Sequence, residues 1–579
     1  EIPLCDSKEI LEASDRIKSG KAAGPDGIPP EVIKTIAEHR PDIFVKIING
    51  PLLKGNFPIE WKIARLILIE KPKKVDGTRA YRPLCLINVM GKLFEQIINK
   101  RLTEDIEQKG GLAKTQFGFR KGLSTLDAVE YIVRTVKSET KETNKYAVMI
   151  TFDVKNAFNS APWQGIIKEL KRREIAPYLI RLICSYFEDR NILIGDNTTM
   201  AMSCGVPQGS VLGPTLWNFY YDGVLNLELP TGTRTIGYAD DLALLAFGNT
   251  REEMEEKIVW SMSKIDIWMN QKRLNLAPEK TEIVILEGRR KLKEINIRFN
   301  NQNLRNKKSL KYLGVQIGHN MNMWTHIKYV AGKAEKTAAA LGRLMPNIGG
   351  PKAVKRKVLG SVVNSIILYC APVWNAWVEK KTFRRIIERV QRKTAIRTAS
   401  AYRTVSTKAI QVIAGAIPIH LLAKERSYGN KINNKAHRQQ ARNATIKTWQ
   451  MEWDLEKETA QWTKKLIPMI EPWLNRTYGQ VGYYLTQFLS GHGRFKTYLY
   501  KMALVDSETC KYCDKKDTPG HTILECTKWK DIRQRYVRQV GHHITANNII
   551  SHMLASEDKW KIIEELITTI LKEKERDEN

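Results

Sequence analysis

The strongest hydrophobic pattern in the chain consists of short apolar runs that end at carboxylates. Residues 146–152 are mostly apolar and rich in β-forming side chains, which predicts a buried strand that stops just before Asp153. Two more apolar runs, 235–239 and 242–247, flank the pair Asp240-Asp241. This arrangement predicts a tight hairpin with both carboxylates on its turn. If the hairpin pairs beside the first strand, the carboxylates of the two segments converge on one spot.

Other segments show the spacing of amphipathic helices. Apolar positions three and four residues apart predict helices over 87–102, 126–138, 214–225 and 252–270. Short apolar runs at 64–69 and 283–286 predict two more strands. Beyond about residue 321 the pattern becomes helical throughout. The sequence therefore predicts an α+β chain whose C-terminal part is made of helices.

Converging carboxylates predict a divalent metal site. Such groups raise one another's pKa, and they remain ionised at low cost only when cations lie between them. Oxygen ligands suit Mg²⁺, and two ions held in this way form a two-metal phosphoryl-transfer site. Adjacent strand side chains diverge, so we expect Asp240 to bind metal directly and Asp241 more loosely. The alternative is a set of solvated acids on loops, but a hairpin turn usually prefers Asn-Gly or Asp-Gly.

The net charge of the chain limits the kinds of molecule that it is expected to bind. The 579 residues carry a formal net charge of +32, which favours a polyanionic partner such as nucleic acid. A basic membrane-surface protein is the alternative, but no run of 18 uncharged apolar residues is present, so we expect no membrane association. The chain begins without methionine, and we expect it to be a fragment of a longer polyprotein.

A cluster near the C-terminus has the spacing of zinc ligands. Cys510 and Cys513 form a Cys-x-x-Cys pair, and His521 and Cys526 follow. These four side chains predict a closed, structural Cys₃His site for one Zn²⁺. The alternative is a disulfide with bystanders, which a reducing compartment disfavours. The other cysteines are isolated and are expected to be reduced packing residues.

The two acidic segments resemble motifs A and C of reverse transcriptases, the second in its Tyr-Ala-Asp-Asp form. The intervening stretch Gly205-Val206-Pro207-Gln208-Gly209-Ser210-Val211-Leu212-Gly213-Pro214 resembles motif B. The ordered set is most similar to the polymerases of non-LTR (LINE-type) retrotransposons. Among these it resembles the arthropod clade that inserts into ribosomal DNA and telomeric repeats. The resemblance extends over nearly the whole chain.

This resemblance implies a right-hand polymerase with fingers, palm and thumb. The expected divisions are an N-terminal extension (1–60), fingers (61–145), a palm with part of the fingers (146–320), a helical thumb (321–430), a helical linker (431–500), a CCHC zinc knuckle (501–540) and a C-terminal helical tail (541–579). Arginine and lysine residues over 384–393 lie largely off the apolar stripe of their helix. A basic face there is expected to hold duplex phosphates.

The resemblance also implies roles for single residues. Asp153, Asp240 and Asp241 are the expected catalytic residues, and together with Val154 they are expected to hold two Mg²⁺ ions. The residues expected to bind the dNTP are Lys71, Arg82, Phe158, Gln208 and Lys280. Phe158 would exclude a 2′-hydroxyl, and Lys280 would protonate the leaving pyrophosphate. Two assignments stay open, because Lys73 and Lys74 compete with Lys71, and Lys272 competes with Lys280.

The implied activity is RNA-directed DNA synthesis. The template would be the element's own RNA, the primer a nicked end of target DNA, and the process target-primed reverse transcription. The site of action would be the nucleus, after assembly with RNA in the cytoplasm. A nuclease domain precedes the polymerase in this clade and none is recognised here, so we expect the chain to polymerise but not to nick. The alternatives are a non-catalytic RNA-binding scaffold, a group II intron maturase and a viral RNA polymerase.

Overall fold

The computed structural model describes residues 2–71, 79–143, 145–195, 198–288, 292–429 and 434–578. The chain divides into two compact units, Glu1–Asn322 and Met323–Asn579. The first is a mixed α/β unit and the second consists of helices and loops in its described parts. The finer divisions expected from the sequence stay predictions.

The first unit contains helices and strands in alternation. Its helices are α1 (Ser7–Asp15), α2 (Pro30–His39), α3 (Pro41–Lys54), α4 (Ile59–Lys62), α5 (Val89–Gln108), α6 (Thr125–Thr143), α7 (Ala157–Ser160), α8 (Trp163–Arg172), α9 (Pro177–Phe187), α10 (Leu212–Leu225) and α11 (Arg251–Gln271). Its strands are β1 (Ala64–Glu70), β2 (Tyr81–Ile87), β3 (Tyr146–Phe152), β4 (Asn191–Ile194), β5 (Thr198–Ala201), β6 (Thr233–Tyr238), β7 (Asp241–Gly248), β8 (Glu282–Glu287), β9 (Asn296–Phe299), β10 (Gln302–Lys307), β11 (Ser309–Tyr312) and β12 (Val315–Gly318). The strands and helices predicted from apolar spacing are present here.

A six-stranded sheet forms the centre of this unit. Its order is β6-β7-β3-β8-β10-β9, and β3 runs antiparallel to both neighbours. The apolar run of β3 is continuous because both faces of the strand are buried, and its residues 147–150 are fully buried. The predicted pairing of the hairpin beside the first strand is confirmed, with Phe152 opposite Leu242.

Two smaller sheets complete the first unit. One has the order β2-β1-β4-β5, in which β1 and β2 are antiparallel and Ile69 lies opposite Arg82. The other is the hairpin β11-β12. Helix α10 is apolar around most of its surface and is buried along most of its length, so it belongs to the core, as its composition predicts.

The second unit is built from helices packed around tryptophans. Its helices are α12 (Trp324–Arg343), α13 (Ala353–Ile367), α14 (Ala371–Trp374), α15 (Lys381–Thr398), α16 (Thr407–Ala414), α17 (Ile419–Gly429), α18 (Lys435–Asp454), α19 (Gln461–Leu466), α20 (Ile470–Asn475), α21 (Tyr483–Ser490), α22 (Lys496–Lys501), α23 (Lys530–Val540), α24 (Ile549–Ala555) and α25 (Glu557–Glu578). The side chains of Trp449, Trp453, Trp473, Trp529 and Trp560 are almost fully buried in one core. In the described ranges, no single helix is long and apolar enough to span a membrane. One bent pair, Ala353–Ile367 with Ala371–Glu379, reaches that length and apolarity only when the two helices are taken together.

Candidate active site

The three predicted carboxylates lie at one end of β3 and β7. Asp153 follows β3 directly, and the two-residue turn between β6 and β7 is Ala239-Asp240. Asp241 is the first residue of β7, so only one of the two adjacent carboxylates lies on the turn, in contrast to the sequence-based prediction. The β3–β7 register, continued by one residue, places Asp153 opposite Asp241.

The electrostatics of these carboxylates show that they affect one another. Burial raises the pKa of Asp240, and the charge of Asp153 raises it further, whereas the charge of Arg82 lowers it. Burial also raises the pKa of Asp241 to about 6, with contributions from Asp240 and Asp153. Asp240 and Asp241 are therefore ionised against burial and against the charge of neighbouring carboxylates, which a cation between them would relieve.

Val154 presents its main chain towards this group. The Asp153 carbonyl accepts a hydrogen bond from Ala277 N at 2.8 Å, and Lys155 N donates to Asn275 O at 2.8 Å. Val154 lies between these bonds, so its own carbonyl faces the opposite side, where β7 lies. Three carboxylates and one main-chain carbonyl could thus serve as oxygen ligands for metal ions.

The competition between two lysines is resolved by their contacts. Lys280 Nζ lies 2.6 Å from Asp153 Oδ2. Lys272 Nζ instead lies 3.2 Å from Glu169 Oε2 and above the ring of Tyr220. Lys280 is therefore the lysine of this pair that reaches the carboxylates.

A cavity of about 290 Å³ opens beside Asp153 and Asp241. Its wall includes Lys280 and Tyr312, which is the last residue of β11. The Tyr312 hydroxyl is buried, and within the described parts of the chain it has no hydrogen-bond partner. Burial and the charge of Asp241 raise the pKa of Tyr312. The sequence patterns did not reveal this contact with the carboxylates.

A loop that precedes α6 fixes the turn with Asp240. Gln116 Oε1 accepts hydrogen bonds from Gly118 N at 3.0 Å and Ala239 N at 3.2 Å. Phe117 N donates to Gly237 O at 2.8 Å, which ties the loop to β6. Gly118 is required because a Cβ there would collide with the main chain at Ala239. The sequence did not reveal this structural role of the loop, although a glutamine next to Phe117 and near Phe119 was a signal.

The motif B loop is held by a buried carboxylate of α5. Glu95 Oε2 accepts hydrogen bonds from Ser210 Oγ at 2.7 Å, Val211 N at 2.5 Å and Leu212 N at 3.1 Å. Glu95 thus caps the start of α10, a role that the sequence did not indicate. On the other side of the loop, Cys85 N of β2 donates to Gln208 O at 2.7 Å.

Phe158 belongs to a row of aromatic side chains. Its ring centroid lies 5.1 Å from that of Trp217 and 5.9 Å from that of Phe119. Phe119 is 57% exposed, whereas Trp217 is buried. Phe158 is half-buried and lies between them. Val206 N donates to Phe158 O at 2.8 Å, which joins motifs A and B.

The two predicted cations of the fingers have different settings. Arg82 is exposed on β2, and its charge acts on Asp240, so it belongs to the same site. Lys71 is exposed beyond the end of β1, and its N–H donates to Ala80 O at 2.8 Å. Its competitors, Lys73 and Lys74, lie outside the described residues.

The four predicted zinc ligands come together in the second unit. Cys510 Sγ and Cys513 Sγ each lie 3.9 Å from Cys526 Sγ, and Cys513 Sγ lies 3.2 Å from His521 Nε2. Within the described ranges, this is the one group of three or more metal-binding side chains whose ligand atoms lie within 4.8 Å of one another. A tetrahedral Zn²⁺ with bonds of about 2.3 Å holds thiolates roughly 3.8 Å apart, so the cluster has the spacing of a zinc site.

A basic groove runs between α12 and α15 in the second unit. Its volume is about 560 Å³, its floor includes Ala338, Ala339 and Gly342, and its cations are Arg343, Arg392, Lys393, Arg397 and Arg403. Lys393 forms an ion pair with Glu335. The basic face expected from the sequence is only partly correct, because Arg384 pairs with Glu388 at 2.6 Å and Glu452 at 3.6 Å.

Comparison with known proteins identifies the class of the first unit. Residues 69–317 match the family described as reverse transcriptase (RNA-dependent DNA polymerase). This segment, which contains all the predicted carboxylates, is therefore a reverse transcriptase domain with a right-hand polymerase fold. The family resemblance seen in the motifs is confirmed.

Curated relatives narrow the comparison to mobile elements. A putative 115 kDa protein of the type-1 retrotransposable element R1DM of Drosophila melanogaster is 29% identical over 92% of this chain and 54% of its own length. A Pol polyprotein of the type-1 element R1 of Bradysia coprophila is 26% identical over 92% of this chain and 55% of its own length. The chain thus spans about half the length of these relatives. Among solved structures, a telomerase of Candida tropicalis with a telomeric RNA fragment covers 70% of this chain and 68% of its own, at 12% identity and a TM-score of 0.35.

Proposed function

We propose that this chain is the RNA-directed DNA polymerase of a non-LTR retrotransposon. The observation that carries the proposal is the placement of Asp153, Asp240 and Asp241 at one end of β3 and β7, inside a reverse transcriptase domain. A scaffold that only binds RNA has no use for three carboxylates that repel one another.

The donor set suits two Mg²⁺ ions. Asp153, Asp240, Asp241 and the Val154 carbonyl offer oxygen atoms only, which hard cations prefer. The raised pKa values of Asp240 and Asp241 reflect repulsion and burial that bound cations would offset. When bound, such ions would activate a primer 3′-hydroxyl and would neutralise charge on the triphosphate.

The side chains around the carboxylates would position the nucleotide. Arg82, with Lys71 beside it, would bind the triphosphate and stabilise charge that develops on the leaving pyrophosphate. Lys280 would supply the proton to that leaving group. Phe158 would reject ribonucleotides by steric contact at the sugar 2′ position, and Gln208 would contact the templating base pair.

The proposed partners are element RNA as template, a nicked target-DNA strand as primer, and dNTPs. The net charge of +32 and the basic groove support polyanionic partners. The names of the relatives, which are proteins of retrotransposable elements, support the element as the source of the RNA. Target-primed synthesis would take place in the nucleus.

We also propose that Cys510, Cys513, His521 and Cys526 hold one structural Zn²⁺ in a knuckle. The support is the sulfur spacing and the attachment of this segment to α25. Lys574 Nζ, which is buried, lies 2.5 Å from Asp517 Oδ2 within the same segment. A bound ion would therefore stabilise the contact of the knuckle with the C-terminal helix, leaving nearby lysines for nucleic acid.

The proposal is tested by synthesis from a nick. A target duplex that already carries a nick is mixed with RNA, dNTPs, Mg²⁺ and either the parent or Asp240→Ala. We expect the parent to extend the nicked strand by copying RNA and the variant to extend nothing. Asp531→Ala, which removes an acidic residue of α23 instead, should extend like the parent.

Two other results would lead to different conclusions. If neither protein extended the nick while both bound RNA, the chain would be an RNA-binding scaffold. If both extended it equally, synthesis would not depend on these carboxylates, and the proposed site would be wrong.

A further inference from the structure

Phe119 lies in the loop that fixes the turn with Asp240, and its backbone conformation is one that aromatic residues disfavour. Its φ is +54°, in the left-handed region, where a bulky side chain is strained. No other aromatic residue in the described ranges has a positive φ. The side chain is 57% exposed, more than that of any other phenylalanine in those ranges. Strained backbone is retained chiefly at functional sites, so the position of this ring needs a physical reason.

Hydrogen bonds on both sides of Phe119 hold the main chain in this conformation. The carbonyl of Gly118, the preceding residue, accepts a hydrogen bond from Asn218 Nδ2 of the buried helix α10 at 2.7 Å. The side chain of Arg120, the following residue, donates to Ala113 O at 3.0 Å. The main chain is therefore fixed to the core on one side of Phe119 and to its own loop on the other, which limits the positions open to the ring.

The ring of Phe119 lies edge-on to the ring of Phe158. Their centroids are 5.9 Å apart and their planes meet at 87°, which is the T-shaped geometry that aromatic pairs favour. Phe158 also packs against the buried ring of Trp217, with centroids 5.1 Å apart and planes at 34°. Trp217 in turn stacks on the buried ring of Tyr221 at 5.1 Å. Phe158 is thus supported from the core by Trp217 and from outside the core by Phe119.

A side chain that excludes a hydroxyl by steric contact must be unable to move away from it. Phe158 is half-buried, and rotation about its side-chain bonds is limited only by the groups that surround the ring. Phe119 occupies space beside this ring. Without Phe119, Trp217 is the remaining aromatic contact of Phe158 in the described part of the chain. The ring of Phe158 would then gain freedom to turn, and the space at the sugar would widen.

We propose that Phe119 is a positioning residue for sugar selection, whose ring holds Phe158 in the orientation that excludes a ribonucleotide 2′-hydroxyl. The inference rests on the proposed function, in which Phe158 contacts the sugar, and Phe119 acts through that residue. Gln116 of the same loop accepts a hydrogen bond from Ala239 N at 3.2 Å. One loop therefore fixes both the carboxylate turn and the ring beside Phe158.

Selection between deoxyribonucleotides and ribonucleotides tests this inference. The efficiency kcat/KM is measured for a dNTP and for the matching rNTP, with a DNA primer on RNA and Mg²⁺. Phe119→Ala should lower the ratio of the two efficiencies by about 3- to 10-fold, which is the worth of one aromatic pair. The change should come from better use of the rNTP, whereas a general disturbance of the fold would lower both efficiencies.

Two variants serve as controls for this measurement. Phe119→Tyr keeps the ring and should therefore keep the ratio of the parent. Trp260→Ala removes an exposed aromatic side chain of α11 and should also leave the ratio unchanged. A ratio that fell equally in Phe119→Tyr and Phe119→Ala would show that the ring contact is not the cause, and it would overturn the inference.

A double-mutant cycle shows whether Phe119 acts through Phe158. Phe158→Val should itself lower the ratio of dNTP to rNTP efficiency. Phe119→Ala added to Phe158→Val should lower that ratio no further, because the ring that it positions is already absent. An equal effect of Phe119→Ala in both backgrounds would show that Phe119 acts independently of Phe158, and this would overturn the inference.

The outcomes also separate this inference from the proposed function. An unchanged ratio in Phe119→Ala, together with a lowered ratio in Phe158→Val, would overturn the positioning role and leave the sugar contact of Phe158 intact. An unchanged ratio in Phe158→Val would remove that sugar contact, and the inference would fail with it. If the parent incorporated no dNTP, the proposed polymerase activity and this inference would both be wrong.

Discussion

At the scale of single residues, the site depends on which charged groups meet at the end of β3. Asp153 Oδ2 lies 2.6 Å from Lys280 Nζ. The charge of Asp153 raises the pKa of Asp240, and the charge of Arg82 lowers it. A cation at the carboxylates and a lysine beside them are the elements that phosphoryl transfer requires, because charge moves onto the leaving oxygen.

Replacement of Lys280 tests its role against that of Lys272. Lys280→Ala should lower the rate of nucleotide incorporation by about a hundredfold, since positioned proton donors contribute on that order. Lys272→Ala should leave the rate unchanged, because that amine pairs with Glu169. Single-turnover incorporation measures both. Equal losses in the two variants would contradict the assignment.

The sequence identified the carboxylates of the site, but it did not show which side chains contact them in the folded chain. Asp153, Asp240 and Asp241 follow from apolar runs that end at acids. The choice between Lys272 and Lys280 could not be made from these runs, because it depends on the path of the polypeptide after α11. The hydroxyl of Tyr312 was also beyond the sequence, since its approach to Asp241 is made by a separate hairpin.

At the scale of elements, the positions of the hairpin turn and of the motif B loop are fixed by hydrogen bonds from other segments. The Gln116 loop holds the turn between β6 and β7, and Glu95 of α5 holds the start of α10. These contacts join segments that are far apart in sequence. Periodicity predicted the strands and helices, but a contact such as Gln116 to Ala239 requires the folded arrangement.

Gly118→Ala tests the attachment of the hairpin turn. The new Cβ would collide with the main chain at Ala239, an overpacking strain of roughly 1–3 kcal/mol that displaces the turn. Because a shift of about 1 Å costs roughly a hundredfold in rate, incorporation should fall by that order while the protein stays folded. Gly50→Ala, which has open space around its Cβ, serves as the control. Full activity of Gly118→Ala would show that the turn is not fixed in this way.

A charged cluster between α15, α17 and α18 gives a prediction about pH. Burial of Glu452 opposes its ionisation, but the hydrogen bond from His420 and the charges of His420, Lys408 and Arg384 lower its pKa to about 2. The folded pKa lies below the ordinary value, so the ionised carboxylate stabilises the protein above about pH 4.5. That contribution is lost as the pH falls towards 2.

Glu452→Gln should therefore lower the free energy of unfolding near pH 7 by about 2 kcal/mol. The difference from the parent should shrink between about pH 4.5 and 2. Urea unfolding at several pH values measures it. A difference that stays constant with pH would contradict the account of Glu452, and Glu458→Gln at an exposed position is the matched control.

At the scale of the whole molecule, the two compact units contain different functional features. The first carries the reverse transcriptase domain, and the second carries the basic groove and the cysteine cluster. Charge and motif order indicated this distribution from the sequence. The ion pairs of Arg384 did not follow from it, because helical spacing alone does not show which basic residues meet a half-buried glutamate.

Zinc removal tests the C-terminal cluster. Chelation or Cys513→Ser should lower the stability of the second unit, because a closed Cys₃His site contributes folding free energy directly. Metal content by elemental analysis and thermal unfolding are the measurements. Cys184→Ser, at a cysteine of α9, should retain one zinc per chain. A chain that holds no zinc when purified in its presence would contradict the proposal.

The most direct test of the account is incorporation of a single dNTP at the end of a DNA primer annealed to RNA, with Mg²⁺, by the parent and by Asp240→Asn. The amide keeps the shape of the side chain and removes the charge that would bind metal. Because metal-ion stabilisation is worth several kcal/mol, the variant should be slower by roughly a thousandfold or more. Equal rates for the two proteins would contradict the claim that these carboxylates are the polymerase site.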